Sequence, residues 1–267
     1  MLRWDRLGET RVAFDAASDA ALGHACEVID TCTLPLIVHD YQRAAVLGTA
    51  TLLMAGRRPV LLTASHLFDG GVRLGNLLVP LASGHGLHAL GGARLTRSRS
   101  VDIAVLDISE VDGVERLLQG RQVAATTLWP CMAENAQRPL PRRACSPHER
   151  WRRVLVSGYP AALSRFERGW LAARRFTVLT RRHDEADALR CRADRLFGYG
   201  RVASRSDGVA VHTPALEGMS GAGMWVLEPC RAGQGARLRL DAVQSAYVHG
   251  RYMRGHDVGA ALELFRH

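Results

Sequence analysis

Three short segments of the chain carry residue types that could together perform acyl transfer. PVLLTASHLFD places His66 just after an apolar run, SVDIAVLDI places Asp102 at the start of another, and EGMSGAGMWV sets Ser220 between glycines. A serine hydroxyl is a poor nucleophile at neutral pH unless a base lies beside it. An imidazole titrates near neutrality, so His66 could take that proton and return it to a leaving group. Asp102, behind the imidazole, would fix its tautomer and stabilise its charged form.

The glycines around Ser220 indicate how a developing negative charge could be bound. They allow an unusual turn that aims backbone N–H groups at one point, and the amides of Gly218 and Ser220 could then form an oxyanion hole. One such donor is typically worth a factor of about 10²–10³ in rate.

Other acids and another serine motif compete with this interpretation. Asp107 lies five residues beyond Asp102, so strand alternation puts it on the opposite face, and Asp112 falls in a predicted loop. The nucleophile elbow of α/β-hydrolases reads GxSxG, but GMSGA lacks the final glycine and no βα repeat precedes Ser220.

The composition is that of a folded domain with a basic surface. The 267 residues are 47% hydrophobic and 23% charged, which excludes wholesale disorder and allows a sizeable core. All 35 basic residues are Arg, against 26 acidic residues, for a net charge of +9. The Arg residues are scattered rather than massed in one tract, which favours a solvated surface over nucleic-acid binding.

The chain shows no signal-peptide core and no apolar run long enough for a membrane span, so we expect a cytoplasmic protein without membrane contact. Its six cysteines would then be reduced thiols. They lack the tight paired spacing of zinc sites. We therefore expect no metal and no organic cofactor.

Short apolar runs separated by glycine-rich turns predict an all-β architecture. Two sets of strands are predicted, and a proline-rich stretch between them indicates an irregular connection. The predicted strands are Leu34–His39, Ala45–Met54, Pro59–Ala64, Val72–Val79 and Val101–Ile108, then Arg153–Ser157, Trp170–Thr180, Gly198–Ala203, Val209–Thr213, Gly221–Leu227 and Leu238–His249. Helical spacing of apolar residues predicts one helix over Asp15–Val28 and a C-terminal helix beginning at Asp257.

These elements divide the chain into four parts. We expect an N-terminal extension over 1–33, a first β-barrel over 34–111, a connection over 112–150, and a second β-barrel with the C-terminal helix over 151–267.

The three segments resemble the motifs of trypsin/chymotrypsin-like serine peptidases, in the chain order His, Asp, Ser. LTASH resembles the family's histidine box and DIAVL its aspartate box. GMSGAG resembles its serine box, with Ala222 in place of a glycine. VSGYP and AVQSAY are similar to two further strands of the family. The resemblance implies two six-stranded antiparallel β-barrels with a C-terminal helix, and a cleft that holds His66, Asp102 and Ser220.

The resemblance also implies a substrate pocket and a support for the aspartate. Pro214 would form the pocket base, and the absence of an acid there argues against cleavage after Arg or Lys. Tyr247 stands where the family often has a small residue and would narrow the pocket. Ser245 matches a serine that supports the catalytic Asp. The remaining residues expected to line the pocket are Thr213, Glu217 and Ala246.

Met219 stands where members activated by N-terminal cleavage carry an Asp, so residues 1–33 are not expected to be an activation peptide of that kind.

The function that follows is limited proteolysis of a protein or peptide substrate by a serine endopeptidase, with a restricted set of targets. The alternative is a non-catalytic module of the same fold that binds a protein or acidic ligand through its Arg-rich surface.

Overall fold

The computed structural model describes residues 2–13, 20–40, 43–82, 86–119, 121, 153–181, 195–199, 201–205, 210–229 and 236–265. Seventeen strands lie in these ranges and form two curled sheets, each shaped as a half-barrel. The first eight strands are β1 (Arg3–Ala13), β2 (Thr33–His39), β3 (Ala44–Ala55), β4 (Arg58–Thr63), β5 (Leu77–Pro80), β6 (Leu87–Ala89), β7 (Arg94–Arg97) and β8 (Ala104–Asp107). The other nine are β9 (Arg153–Gly158), β10 (Ser164–Glu167), β11 (Trp170–Arg181), β12 (Arg195–Gly198), β13 (Val202–Arg205), β14 (Ala210–His212), β15 (Gly223–Pro229), β16 (Ala236–Val248) and β17 (Tyr252–Asp257). The mostly-β prediction is confirmed.

The first sheet has seven strands in the order β6-β5-β2-β3-β4-β8-β7. Strands β3 and β4 form a hairpin around Gly56, whose φ of 65° suits a tight turn. Strand β4 also pairs with β8, and Thr63 lies opposite Ala104. The end of β4 therefore lies beside the beginning of β8.

The second sheet has ten strands in the order β12-β17-β16-β15-β9-β11-β1-β13-β14, with β10 paired to β11. Its one departure from antiparallel pairing, within the described strands, is β1, which runs parallel to β11. The N-terminal strand thus joins the sheet formed by the C-terminal half of the chain. The counts of seven and ten strands describe two half-barrel sheets, and the two closed six-stranded barrels that the resemblance implied stay a prediction.

Helices are few and short in the described ranges. They are α1 (Ala20–Cys32), α2 (Val114–Leu118) and the 3₁₀ helices Ser65–Phe68, Leu74–Asn76, Ala161–Leu163 and Val258–Phe265. The predicted N-terminal helix overlaps α1, and the predicted C-terminal helix is a 3₁₀ helix. Apart from α2 and its neighbours, the predicted connection over 112–150 lies outside the described residues.

One apolar core spans both sheets. It joins Leu36 and Leu62 of the first sheet, Ile29 of α1, and Trp225 and Val243 of the second sheet, all of them buried. Because this core crosses the boundary between the sheets, it packs the two sheets against each other.

A buried cation ties the N-terminal elements to the second sheet. Arg175 of β11 is 1% exposed. Its Nη2 donates to Glu9 Oε2 of β1 at 2.9 Å, and its Nη1 donates to Asp30 of α1. Thr177 Oγ1 also donates to Glu9, at 2.6 Å. These contacts pin β1 and α1 onto β11.

We expect Arg175→Met to lower the free energy of unfolding by about 3–5 kcal/mol, because it leaves two carboxylates without their buried partner. Arg174→Met is the matched control, since Arg174 is the next residue on the same strand and is exposed. It should change stability by less than about 0.5 kcal/mol. Urea unfolding measures both values, and equal losses in the two variants would contradict the structural role of Arg175.

Candidate active site

His66 and Asp102 lie together because their strands are neighbours. His66 occupies the 3₁₀ helix that follows β4, and Asp102 lies in the bend just before β8. Asp102 Oδ1 accepts a hydrogen bond from the His66 backbone N–H at 2.8 Å, and Oδ2 accepts one from His66 Nδ1 at 2.6 Å. Both carboxylate oxygens of Asp102 contact His66, so the imidazole is held in one orientation. The other ring nitrogen, Nε2, takes no part in this contact.

The pair shifts the protonation of both groups. The hydrogen bond that His66 donates to Asp102 raises the pKa of His66 despite partial burial, and the charge of Asp69 adds to the effect. Partial burial would raise the pKa of Asp102, but its hydrogen bonds from His66 outweigh burial and lower it. Asp102 is therefore ionised wherever His66 titrates.

We expect His66 in the folded chain to titrate with a midpoint above the ordinary value of 6.5. Its contribution to stability is fully present below the unfolded pKa and is lost as the pH rises through the higher folded value. Asp102→Asn should move the midpoint down, because the carboxylate that favours the imidazolium is gone.

An NMR titration of the histidine ring resonances measures this midpoint. His88, whose pKa burial lowers, is an internal control that should not respond to Asp102→Asn. A His66 midpoint below 6.5, or one unchanged by Asp102→Asn, would contradict the pairing.

The loop that carries Ser220 needs glycine at two positions. Gly218 has a φ of 89°, and a Cβ there would lie 2.7 Å from the Tyr159 carbonyl oxygen. Gly221 has a φ of 92°, and a Cβ there would lie 2.0 Å from the Thr49 carbonyl oxygen. Both the backbone conformation and the close packing exclude a side chain.

Two amides of this loop are left for an external acceptor. Met219 N–H donates to the Leu216 carbonyl at 2.9 Å, and Gly221 N–H donates to the Gln244 carbonyl at 2.7 Å. The amides of Gly218 and Ser220 donate to no residue in the described ranges. The arrangement can therefore present two N–H groups beside the Ser220 hydroxyl.

Thr49 of β3 seats the Ser220 loop on the first sheet. Its N–H donates to the Ser220 carbonyl at 2.8 Å, and its hydroxyl donates to the Gly218 carbonyl at 2.9 Å. The same hydroxyl accepts from the Tyr159 N–H at 3.0 Å. A side chain on Gly221 would also approach the Ala64 N–H to 3.0 Å. The loop thus packs against the end of β4, two residues before the histidine.

The described contacts include no hydrogen bond between Ser220 Oγ and the His66 ring. Hydrogen bonds of this kind are often long without substrate and tighten only in the substrate complex. The structure brings the backbone of Ser220 to the His66 turn and joins His66 to Asp102.

Three of the predicted pocket residues, Pro214, Glu217 and Tyr247, are linked to one another through contacts of Tyr199 and Tyr247. The Tyr247 ring packs edge-on against Tyr199 with centroids 6.2 Å apart, and the Tyr199 hydroxyl donates to the Pro214 carbonyl. Burial, together with a hydrogen bond to the Glu217 carboxylate, raises the pKa of Tyr247 to about 12. Tyr247 is therefore neutral at neutral pH.

Thr213, Ala246 and Ser245 are the remaining predicted pocket residues. Thr213 is buried and its N–H donates to the Arg201 carbonyl at 3.0 Å, while Ala246 lies half-buried in β16. Ser245 occupies a bulge of β16, so its hydroxyl turns to the Arg254 carbonyl at 3.5 Å. No described hydrogen bond joins Ser245 to Asp102, and the support of Asp102 that the resemblance implied for Ser245 stays a prediction.

Two positioning residues were not predicted from the sequence. Thr49 holds the loop, as described above, and Arg97 of β7 holds the histidine turn. Arg97 Nε donates to Ser65 Oγ at 2.7 Å, and its guanidinium pairs with Asp69. These contacts lie on both sides of His66. A lone Thr in a strand and one of many Arg residues carry no sequence signal for such roles.

Within the described ranges, no group of three His, Cys, Asp or Glu side chains is arranged to hold a metal ion. None of the helices in those ranges is long and apolar enough to cross a membrane.

A scan of the sequence against models of protein families finds no match, and a search of curated proteins finds none either. Two curled half-barrel sheets are compatible with a chymotrypsin-like fold.

Proposed function

We propose that the chain is a serine endopeptidase of the chymotrypsin-like type, which performs limited proteolysis through an acyl-enzyme. The observation that supports this proposal best is the pair of hydrogen bonds that hold His66 against Asp102. The glycine-bounded loop of Ser220, seated beside the His66 turn with two amides unused, supports it further.

The proposed reaction assigns one role to each group. Ser220 Oγ attacks the scissile carbonyl carbon and passes its proton to His66 Nε2, while Asp102 stabilises the imidazolium through Nδ1. The amides of Gly218 and Ser220 hold the oxyanion. The C–N bond then breaks as His66 returns the proton to the leaving amine. Water then attacks the acyl carbon and passes a proton to His66 Nε2. The ester bond to Ser220 breaks, Ser220 Oγ takes the proton from His66, and the acid product leaves.

The predicted pocket residues Tyr247 and Pro214 favour a narrow range of substrates. Tyr247 makes a hydrogen bond with Glu217 and an aromatic contact with Tyr199, so its ring cannot leave this position without losing both. Pro214 supplies no acid to pair with a basic side chain. We therefore propose that the residue preceding the cleaved bond has a small side chain and that few sites in a folded protein qualify.

Digestion of a complex peptide library tests the proposal. New termini identified by mass spectrometry should follow small residues in the wild-type digest and should be absent with Ser220→Ala. Identical termini with both proteins, or no cleavage by folded wild type, would contradict an endopeptidase and would leave the non-catalytic binding module as the better account.

A further inference from the structure

A small cavity lies between the N-terminal elements and the first sheet, away from His66 and Ser220. Its volume is about 40 Å³. Its polar lining includes Arg6, Asp30, Thr33, Arg121 and Tyr159. A space of this size holds a small ion or a few waters, since one water needs about 10–15 Å³.

Arg121 is a buried cation to which no carboxylate in the described part of the chain is paired. It is 8% exposed. Its Nη1 donates to the Thr31 carbonyl at 3.1 Å and its Nη2 to the Pro80 carbonyl at 3.2 Å, while its buried Nε has no partner among the described residues. Arginine does not lose its proton in proteins. A buried charge that is neither paired nor neutralised is costly.

The carboxylates nearby are already shared between other guanidinium groups. Asp30 accepts from Arg6 at 2.5 Å and also from Arg175. Glu9 accepts from Arg175 at 2.9 Å and from Arg11 at 2.7 Å. Among the described residues, three guanidinium groups thus share two carboxylates, and Arg121 adds a fourth positive charge, which leaves an excess of two.

Two other described groups near the cavity, the Tyr159 hydroxyl and the Cys32 thiol, carry no negative charge at neutral pH. Burial raises the pKa of the Tyr159 hydroxyl, and burial raises the pKa of the Cys32 thiol to about 12. Both groups stay neutral and can act as donors. The Tyr159 hydroxyl makes no hydrogen bond to a described residue.

We propose that this cavity binds a small monovalent anion of the size of chloride. Arg121 Nε–H and the Tyr159 hydroxyl donate to the anion, and the positive charge of Arg6 adds to its attraction. The bound anion neutralises Arg121, whose donations to the Thr31 and Pro80 carbonyls link α1 to β5 of the first sheet. The proposal goes beyond the proposed peptidase activity and does not depend on it.

Thermal unfolding of the full chain tests the site. Chloride is exchanged for gluconate at constant ionic strength, because gluconate is too large for the cavity. At a tenfold excess of chloride over its Kd, Tm should rise by about 2–3 °C. Arg121→Gln should abolish the rise, and Arg57→Gln, which removes an exposed charge, should retain it.

Two further measurements test anion binding in the cavity if Arg121→Gln does not fold. Tyr159→Phe keeps the ring but removes one donor, so about tenfold more chloride should be needed for the same shift in Tm. A crystal grown in bromide should show an anomalous peak in the cavity. A wild-type Tm that is equal in chloride and gluconate, or a bromide crystal without that peak, would overturn the proposal.

Discussion

Asp102→Asn is expected to lower kcat/KM on a cleaved peptide by about 10⁴-fold while the fold stays intact. The asparagine side chain can still accept from the His66 backbone N–H, so the turn should hold. Its amide group, however, would face His66 Nδ1 with donors, which favours the tautomer that carries its proton on Nε2. That tautomer cannot take the proton of Ser220.

Asp107→Asn is the matched control for this change. Asp107 ends β8, accepts from Ser109 at 2.6 Å and pairs with Arg58 at 3.5 Å. Its replacement removes the same charge from the same segment of chain and should change kcat/KM less than about threefold. Similar losses in both variants would show that charge alone is responsible and would contradict the role of Asp102.

Gly221→Ala is expected to destabilise the chain by about 3 kcal/mol or more and to remove activity. Two costs combine at this position. A φ of 92° strains any residue with a Cβ, and that Cβ would meet the Thr49 carbonyl oxygen at 2.0 Å and Thr63 Oγ1 at 2.1 Å. Relief of the clash requires the Ser220 loop to move off the first sheet.

Gly56→Ala separates the two costs. Gly56 has a φ of 65°, but a Cβ there would meet nothing within 4 Å. Urea unfolding should therefore show a loss of about 1 kcal/mol for Gly56→Ala, with activity retained. Equal stability of the two variants would contradict the close packing of the Ser220 loop against β3.

The parts of the fold predicted best from the sequence are those whose structure depends on local pattern. The observed β3 and β4 lie within one residue of the predicted runs, because both are apolar and a glycine turn separates them. Strand β8 is shorter than predicted at its beginning, because residues before Ala104 bend to bring Asp102 to His66. A contact with a distant residue, rather than strand propensity, determines that boundary.

Features that depend on distant contacts could not be predicted. Strand β1 carries charges every few residues and does not read as a buried strand. Its Glu9 is accommodated because Arg175, far along the chain, pairs with it. The bulge at Ser245 likewise follows from the pairing of β16 with β17, and no local pattern marks it.

The candidate site, like the fold, combines residues that local sequence pattern predicts with residues whose role depends on distant contacts. The three motifs pointed to His66, Asp102 and Ser220, and the structure joins the first two by hydrogen bonds. Thr49 and Arg97 support the site through side-chain contacts across the sheet boundary or between neighbouring strands. Such contacts become visible only when the strands are in place.

Intact-mass analysis after treatment with a fluorophosphonate tests the central claim most directly, because the reagent requires an activated serine beside an oxyanion site. We expect one adduct per wild-type chain, located on Ser220, and no adduct with Ser220→Ala or His66→Ala. Ser109→Ala, a serine outside the site, should label as wild type does. Absence of an adduct on folded wild type, or an adduct that persists in Ser220→Ala, would contradict the assignment of Ser220 as the nucleophile.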